Sequence, residues 1–250
     1  MAVVLKSSQE IEKMRRAGQV VREVLELVRS LVRPGATTLE LERAAEKRIT
    51  DLGAKPAFKG YHGYPCVLCT SVNSEVVHGI PSSKRVLKDG DIVSVDCGAI
   101  VDGYYGDAAI TVPVGERIDP DTARLLKVTE ASLQSGIAAV KPGATLGDIG
   151  AAVQQVVESE GFSVVRDFVG HGIGVHMHED PQVPNFGEAG RGMKLRAGMV
   201  IAIEPMVNAG GPDVRVLGDG WTAVTGDGSM SAHFEHTVAV TATGSRILTE

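Results

Sequence analysis

Four acids and a cluster of histidines carry the chemistry open to this chain. Asp96 and Asp107 lie in VSVDCGAIVDGYYGDAAITV at 93–112. Within it, Asp102-Gly103 between two alternating runs signals a two-residue hairpin turn. That turn sets Asp107 opposite Gly98 and Asp96 opposite Ala109, so both carboxylates leave one sheet face as diagonal neighbours. Such neighbours are about 7–8 Å apart at the backbone, close enough for their carboxylates to share metal ions. Two solvated acids on an exposed strand are the plainer alternative, but acids are depleted in strand interiors and these follow apolar residues. Glu204 ends the almost wholly apolar MVIAIEPM, where an unpaired ionised acid is costly unless a metal takes up its charge. Glu235, in SAHFEHTVAV, sits between an aromatic and His236, which turns to the opposite face of an extended chain.

The other histidines fall in FVGHGIGVHMHEDP at 168–181. In a regular strand His176 and His178 share one face and His171 takes the other, so all three cannot bind one ion there. His171, between Gly170 and Gly172, has room for close approach to a ligand. A histidine-rich loop is also an ordinary surface feature, and no HExxH motif supports a helical zinc site. The oxygen-rich donor set favours Mn²⁺, Fe²⁺, Co²⁺ or Mg²⁺ over a structural zinc. Four carboxylates are balanced by two divalent ions, and without metal their mutual repulsion raises carboxylate pKa values. Such a pair of ions polarises a carbonyl and generates a hydroxide nucleophile at neutral pH.

An internal repeat supplies the elements that position these groups. VRPGATTLELERAAEKRITDLG at 32–53 aligns without gaps on VKPGATLGDIGAAVQQVVESEG at 140–161, with seven of 22 positions identical. The same offset places LKDGDIVSVD at 87–96 on LRAGMVIAIE at 195–204, so Asp96 falls on Glu204. With an insertion in the second half, GDAAITV at 106–112 aligns on FEHTVAV at 234–240, and Asp107 falls on Glu235. Two acids per half point to a site on a pseudo-twofold axis. Ser7 with Glu10, Thr37 with Glu40 and Thr145 with Asp148 have capping-box spacing. The pattern predicts helices over about 8–32, 38–52, 120–139 and 146–160, with strands over 58–113 and from Ser163 onward. Helices before strands, twice over, give an α+β fold with helices covering one face of an antiparallel sheet. No linker divides the halves, roughly 8–113 and 120–250, so one domain is expected over 1–250.

Composition narrows the function classes. The chain has 250 residues, 43% of them hydrophobic, a net charge of -6 and no basic stripe. A nucleic-acid or anionic-membrane binder is therefore not expected. No apolar run approaches the length of a bilayer span, and the opening MAVVLKSSQEIEKMRRAG is too briefly apolar for a signal peptide. Three cysteines, Cys66, Cys69 and Cys97, suit a reducing compartment, so a cytoplasmic protein is expected. Cys66 and Cys69 form a lone CxxC, which reads as packing or pocket lining rather than redox chemistry.

In order and spacing, Asp96, Asp107, His171, Glu204 and Glu235 resemble the ligands of the bacterial, type I methionine aminopeptidases. The resemblance covers nearly all of the chain, through YHGYP at 61–65, VNSEVVHGIP at 72–81, GHGIG at 170–174 and IEPM at 203–206. It implies the pita-bread fold, two divalent ions such as Co²⁺, Mn²⁺ or Fe²⁺, and removal of the initiator methionine from nascent polypeptides with a small second residue. It also implies a monomer acting close to the ribosome. By this likeness Asp107 and Glu235 bridge both ions, Asp96 holds the second, and His171 with Glu204 holds the first. Glu204 would also shuttle the nucleophile's proton, while His78 and His178 contact the scissile peptide. Two neutral imidazoles there can donate to a developing oxyanion or accept from the amide. Tyr61, Tyr64, Cys69, His78, Met177 and Trp221 would form the methionine pocket, since rings and sulfur suit a thioether.

Some positions depart from that pattern. Met177 stands where a phenylalanine is usual, Phe58 where a cysteine is frequent, and His176 is an extra histidine beside the site. The ligand set is untouched by them. Two rival readings share the fold: a proline-specific aminopeptidase, which usually carries a further N-terminal domain, and a non-catalytic pita-bread binding protein, which typically has lost ligands.

Overall fold

The computed structural model describes residues 3–250; Met1 and Ala2, part of the opening run weighed above as a signal peptide, lie outside them. Four long helices form within a residue of the predicted ranges, three of them at the predicted caps. α1 spans Ser8–Leu31, α2 Thr38–Asp51, α3 Pro120–Ala138 and α4 Leu146–Ser159. Capping boxes open α1, α2 and α4, each satisfying two backbone donors that a helix start leaves free. Asp119 caps α3 ahead of Pro120, whose missing N–H costs nothing in the first turn. Met14, Val21, Val24, Leu25 and Val28 form the buried stripe of α1, at the spacing of one helix face.

A nine-stranded sheet runs through both halves. Its path goes from Lys55–Pro56 through Ile92–Val101, Tyr104–Pro113, Glu235–Val240, Val200–Ile203 and Gly170–Gly172 to Glu179–Val183. Each of these neighbours pairs antiparallel. Leu68–Val72 adds to Ile92–Val101, and Ser245–Ile247 to Glu235–Val240. Asp102 and Gly103 both adopt positive φ, 49° and 80°, as the tight hairpin turn requires.

Strand alternation sorts the side chains. Val93, Val95, Cys97, Ala99 and Ala108 pack with α1 and α2 residues in one core. Ile201, Ile203, Val238 and Val240 pack with Leu133, Ile137 and Ile149 of α3 and α4 in a second. Each fully buried Val, Leu or Ile contributes about 1.5–3 kcal/mol over exposure, which holds the helices on that face. Residues of opposite parity, Asp96, Asp107 and Glu235 among them, turn to the other face. α1 lies tight against the hairpin: a Cβ on Gly106 would come within 2.6 Å of the Gly18 nitrogen, so only glycine permits this approach.

The two halves repeat their hydrogen bonds. Gly35 N–H donates to Leu87 O at 2.8 Å, and Gly143 N–H to Leu195 O at 3.0 Å. Gly90 N–H donates to Val114 O at 3.0 Å, and Gly198 N–H to Val240 O at 2.9 Å. Val114 and Val240 therefore hold the same place in each half. Counting back along the two strands makes Ala109, not Asp107, the counterpart of Glu235. The alignment of Asp107 on Glu235 is two residues out of register, yet a period of two leaves both acids on the same face.

Candidate metal centre and adjoining pocket

Neighbouring strands bring the acids together. Ala109 is flanked on one side by Asp96 and on the other by Glu235. Asp107 lies one period before Ala109 on the same strand. Glu204 follows Ile203, the residue paired with His236, and so arrives beside Glu235. His171 comes from the short strand Gly170–Gly172, whose Gly172 pairs with Ile201. Its Nδ1 lies 2.9 Å from the Gly172 carbonyl and must carry the proton, because a carbonyl only accepts. Nε2 faces the acids, 3.6 Å from Glu204 Oε1 and 3.9 Å from Asp107 Oδ2.

Donor atoms of Asp107, His171 and Glu235 all lie within 4.8 Å of one another, and so do those of Glu204, His233 and Glu235. Asp96 stands outside both trios but lines the same cavity. Burial pushes its pKa up to about 7, against the pull of His233. Asp107 and Glu235 are also held well above the carboxylate range, by burial first and then by the neighbouring acids. Burial acts in the same direction on Glu204, but the His233 and His171 imidazoles outweigh it and lower its pKa. Four acids this close cannot all ionise without a cation. Asp96 Oδ1, Asp107 Oδ1, Glu235 Oε1 and His233 Nε2 are moreover buried without a hydrogen-bond partner. Unpaired buried carboxylate oxygens beside imidazole nitrogens are the kind of donors a divalent ion requires.

The acids floor a cavity of about 230 Å³. Its walls include Tyr61, Tyr64, Cys69, Met177 and Trp221, every side chain assigned to the methionine pocket, together with His78 and His178. Tyr64 packs edge-on against Trp221 at 5.1 Å, and its hydroxyl reaches the Leu68 and Gly79 carbonyls. Tyr61 Oη lies 2.8 Å from His178 Nδ1, and the His178 ring meets His171 at 4.2 Å between centroids. Burial, then His171, pushes the His178 pKa down to about 4; burial also lowers that of His78. His78 takes φ 61°, a strained backbone for a non-glycine residue. His176 and His178 sit in the turn between two strands rather than in one strand, which frees His178 to approach His171. His176 is exposed and does not line the cavity. Cys69 is buried in the wall, while burial raises the Cys66 thiol to about 11, so neither is poised for redox chemistry.

The family described as Metallopeptidase family M24 matches residues 12–242. The chain belongs to metallopeptidase family M24. It is 55% identical over 247 residues to the methionine aminopeptidase of Clostridium perfringens, covering 99% of this chain and 98% of that protein. The crystal structure of methionine aminopeptidase from Thermotoga maritima matches with a TM-score of 0.98 and 51% identity, over 100% of both chains. The prolidase of Pyrococcus horikoshii matches with a TM-score of 0.80 but 24% identity, and this chain spans 63% of its length. That last likeness is one of fold alone. The match confirms the pita-bread fold that the resemblance implied, and its two halves agree with the repeat.

As an M24 metallopeptidase with this donor set, the chain uses divalent metal. Three residues at the site were not singled out from sequence for the roles their positions suggest. His62 and Phe58 line the cavity, and His233 Nε2 lies 3.6 Å from Glu204 Oε2. A signal for His233 existed: it stands one strand period before Glu235, on the same face of an extended chain.

Proposed function

We propose that this chain hydrolyses the peptide bond after the N-terminal methionine of nascent polypeptides. One observation carries the reading: the acid cluster and a pocket of rings and sulfur share one cavity. At about 230 Å³ it is smaller than the ~300–1,000 Å³ of drug-sized ligand sites, and suits one side chain with its peptide group. Asp96, Asp107, His171, Glu204 and Glu235 would hold two ions such as Co²⁺, Mn²⁺ or Fe²⁺. When bound, such ions polarise the scissile carbonyl and lower the pKa of water.

The remaining work falls to side chains. Glu204, with its lowered pKa, is ready to take the proton of the attacking water and return it to the leaving amine. His178 stays neutral at neutral pH, and a Tyr61 hydroxyl donating to Nδ1 leaves the proton on Nε2. That N–H can then donate to the oxyanion as charge develops. His78 offers a second neutral imidazole to the peptide. Tyr61, Tyr64, Cys69, Met177 and Trp221 receive the thioether side chain. Both halves supply acids to one centre, so residues 1–250 act as one catalytic domain. A small second residue is preferred, as the resemblance to the methionine aminopeptidases implies. Three free cysteines fit a reducing, cytoplasmic setting, and the resemblance supports a monomer meeting its substrates near the ribosome. No helix among the described residues is long and apolar enough to cross a membrane.

A peptide panel tests this. Met-Ala-Ser should be cleaved when metal is present and Ala-Pro-Ala should not. The reverse preference would transfer the chain to the proline-specific exopeptidases. Cleavage of neither peptide, with metal restored, would leave the non-catalytic binding role.

A further inference from the structure

Lys6 is a buried cation that the chemistry above does not use. It precedes the α1 cap, and its side chain is 4% exposed. Its Nζ lies 2.5 Å from Glu179 Oε2, on a side chain 9% exposed, and also donates to the Val4 carbonyl at 3.1 Å. A buried ion pair adds little stability over apolar neighbours of the same volume, so its value lies in the geometry it fixes. Here Glu179 is the residue after His178. Its other oxygen, Oε1, accepts the His176 N–H at 3.1 Å. One carboxylate thus closes the turn that carries Met177 and His178.

The entry to that turn is held as well. Gly174 N–H donates to His176 O at 3.1 Å, and Tyr105 N–H to Gly174 O at 2.9 Å. A Cβ on Gly174 would come within 2.5 Å of Lys6 Cε and 2.6 Å of Glu179 Oε1, so the lysine stem lies directly on the loop backbone. Lys6 is itself anchored: its N–H donates to Gly198 O at 2.7 Å, and the capping box begins at Ser7.

We propose that Lys6 is a positioning residue for hydrolysis, fixing through Glu179 the turn that sets Met177 and His178 in the cavity. The proposal rests on the reading of His178 as the group beside the scissile peptide. Misplacement of a reacting group by about 1 Å costs on the order of 10²-fold in rate. Lys6→Met in the metal-loaded enzyme should therefore lower kcat/KM on Met-Ala-Ser by about that factor, with metal content unchanged. Lys6→Arg should recover part of the loss. In a His178→Ala background Lys6→Met should cost clearly less, because only Met177 is then left for it to position. An equal loss in both backgrounds, or full turnover in folded Lys6→Met, overturns the proposal.

Should Lys6→Met fail to fold, Lys6→Met/Glu179→Gln leaves no buried charge unpaired and carries the same comparison. Hydrogen exchange reads the clamp independently of turnover. The amides of 176–179 should lose protection in the variant while those of the 92–113 hairpin keep theirs, and unchanged protection at 176–179 overturns the proposal. A wild-type enzyme inactive on Met-Ala-Ser with metal restored would count against the proposed function instead, with the exchange result still deciding the clamp.

Discussion

His233 Nε2 stands 3.6 Å from Glu204 Oε2, at the carboxylate oxygen that His171 does not face. Glu204 is thus held between two imidazoles. His233 is 2% exposed, and its Nε2 has no hydrogen-bond partner. A group in this place orients a ligating carboxylate, and losing such a group typically costs about 10–100-fold in metal affinity or activity. His233→Ala should therefore weaken metal binding by about that factor, read by calorimetric titration, with the fold retained. His233→Gln, which keeps a donor, should lose less. Metal affinity unchanged in His233→Ala would remove His233 from the site.

Glu204→Gln keeps the shape of the side chain but removes a charge and a proton acceptor. The expected fall in kcat is ~10²-fold or more, the usual scale of general acid–base catalysis. Circular dichroism should show an intact fold. Near-normal turnover would show that another group handles the proton.

His178→Ala and His171→Ala should separate catalysis from metal binding. His171 presents its Nε2 to two acids, whereas His178 bonds Tyr61 and faces the pocket. Removing a donor to the transition state costs about 2.7–4 kcal/mol, or ~10²–10³ in kcat, and His178→Ala should lose that with metal content nearly unchanged. His171→Ala should lose metal affinity and recover partly in excess metal. The opposite pattern in elemental analysis and steady-state rates would exchange their roles.

What the sequence made legible was local or periodic. Capping boxes at Ser7, Thr37 and Thr145 are three-residue patterns, and all three form. Asp102-Gly103 fixed the hairpin register, and with it the shared face of Asp96 and Asp107. The second half was harder: its strand stops at Ile203, ahead of Glu204 and Pro205, and an insertion shifts the last acid by one strand period. His178 could not be placed by strand parity because its segment is a turn. Lys6 with Glu179 left no trace, since no local pattern couples residues 173 apart in sequence.

Metal removal should invert the pH dependence of stability near neutrality. In the metal-free protein Asp96 titrates at about 7, and Asp107 and Glu235 are raised by burial and by their neighbours. Raised carboxylates bind more protons folded than unfolded, so their contribution is lost as pH rises through the folded pKa. His78, His178 and His236, whose pKa values burial lowers, act the other way, but only up to the ordinary imidazole pKa of about 6.5. Between about pH 6.5 and about pH 8, below the ordinary thiol pKa, the acid cluster therefore dominates. The chelated protein should lose Tm across that window, and Asp96→Asn should flatten the loss. The gain in Tm on adding Mn²⁺ or Co²⁺ should widen over the same range, because metal and protons compete for the same oxygens. Differential scanning calorimetry of chelated, loaded and Asp96→Asn protein at both ends of the window reads all three. A chelated protein whose Tm holds or rises would mean that these acids ionise freely, and would dissolve the shared buried site.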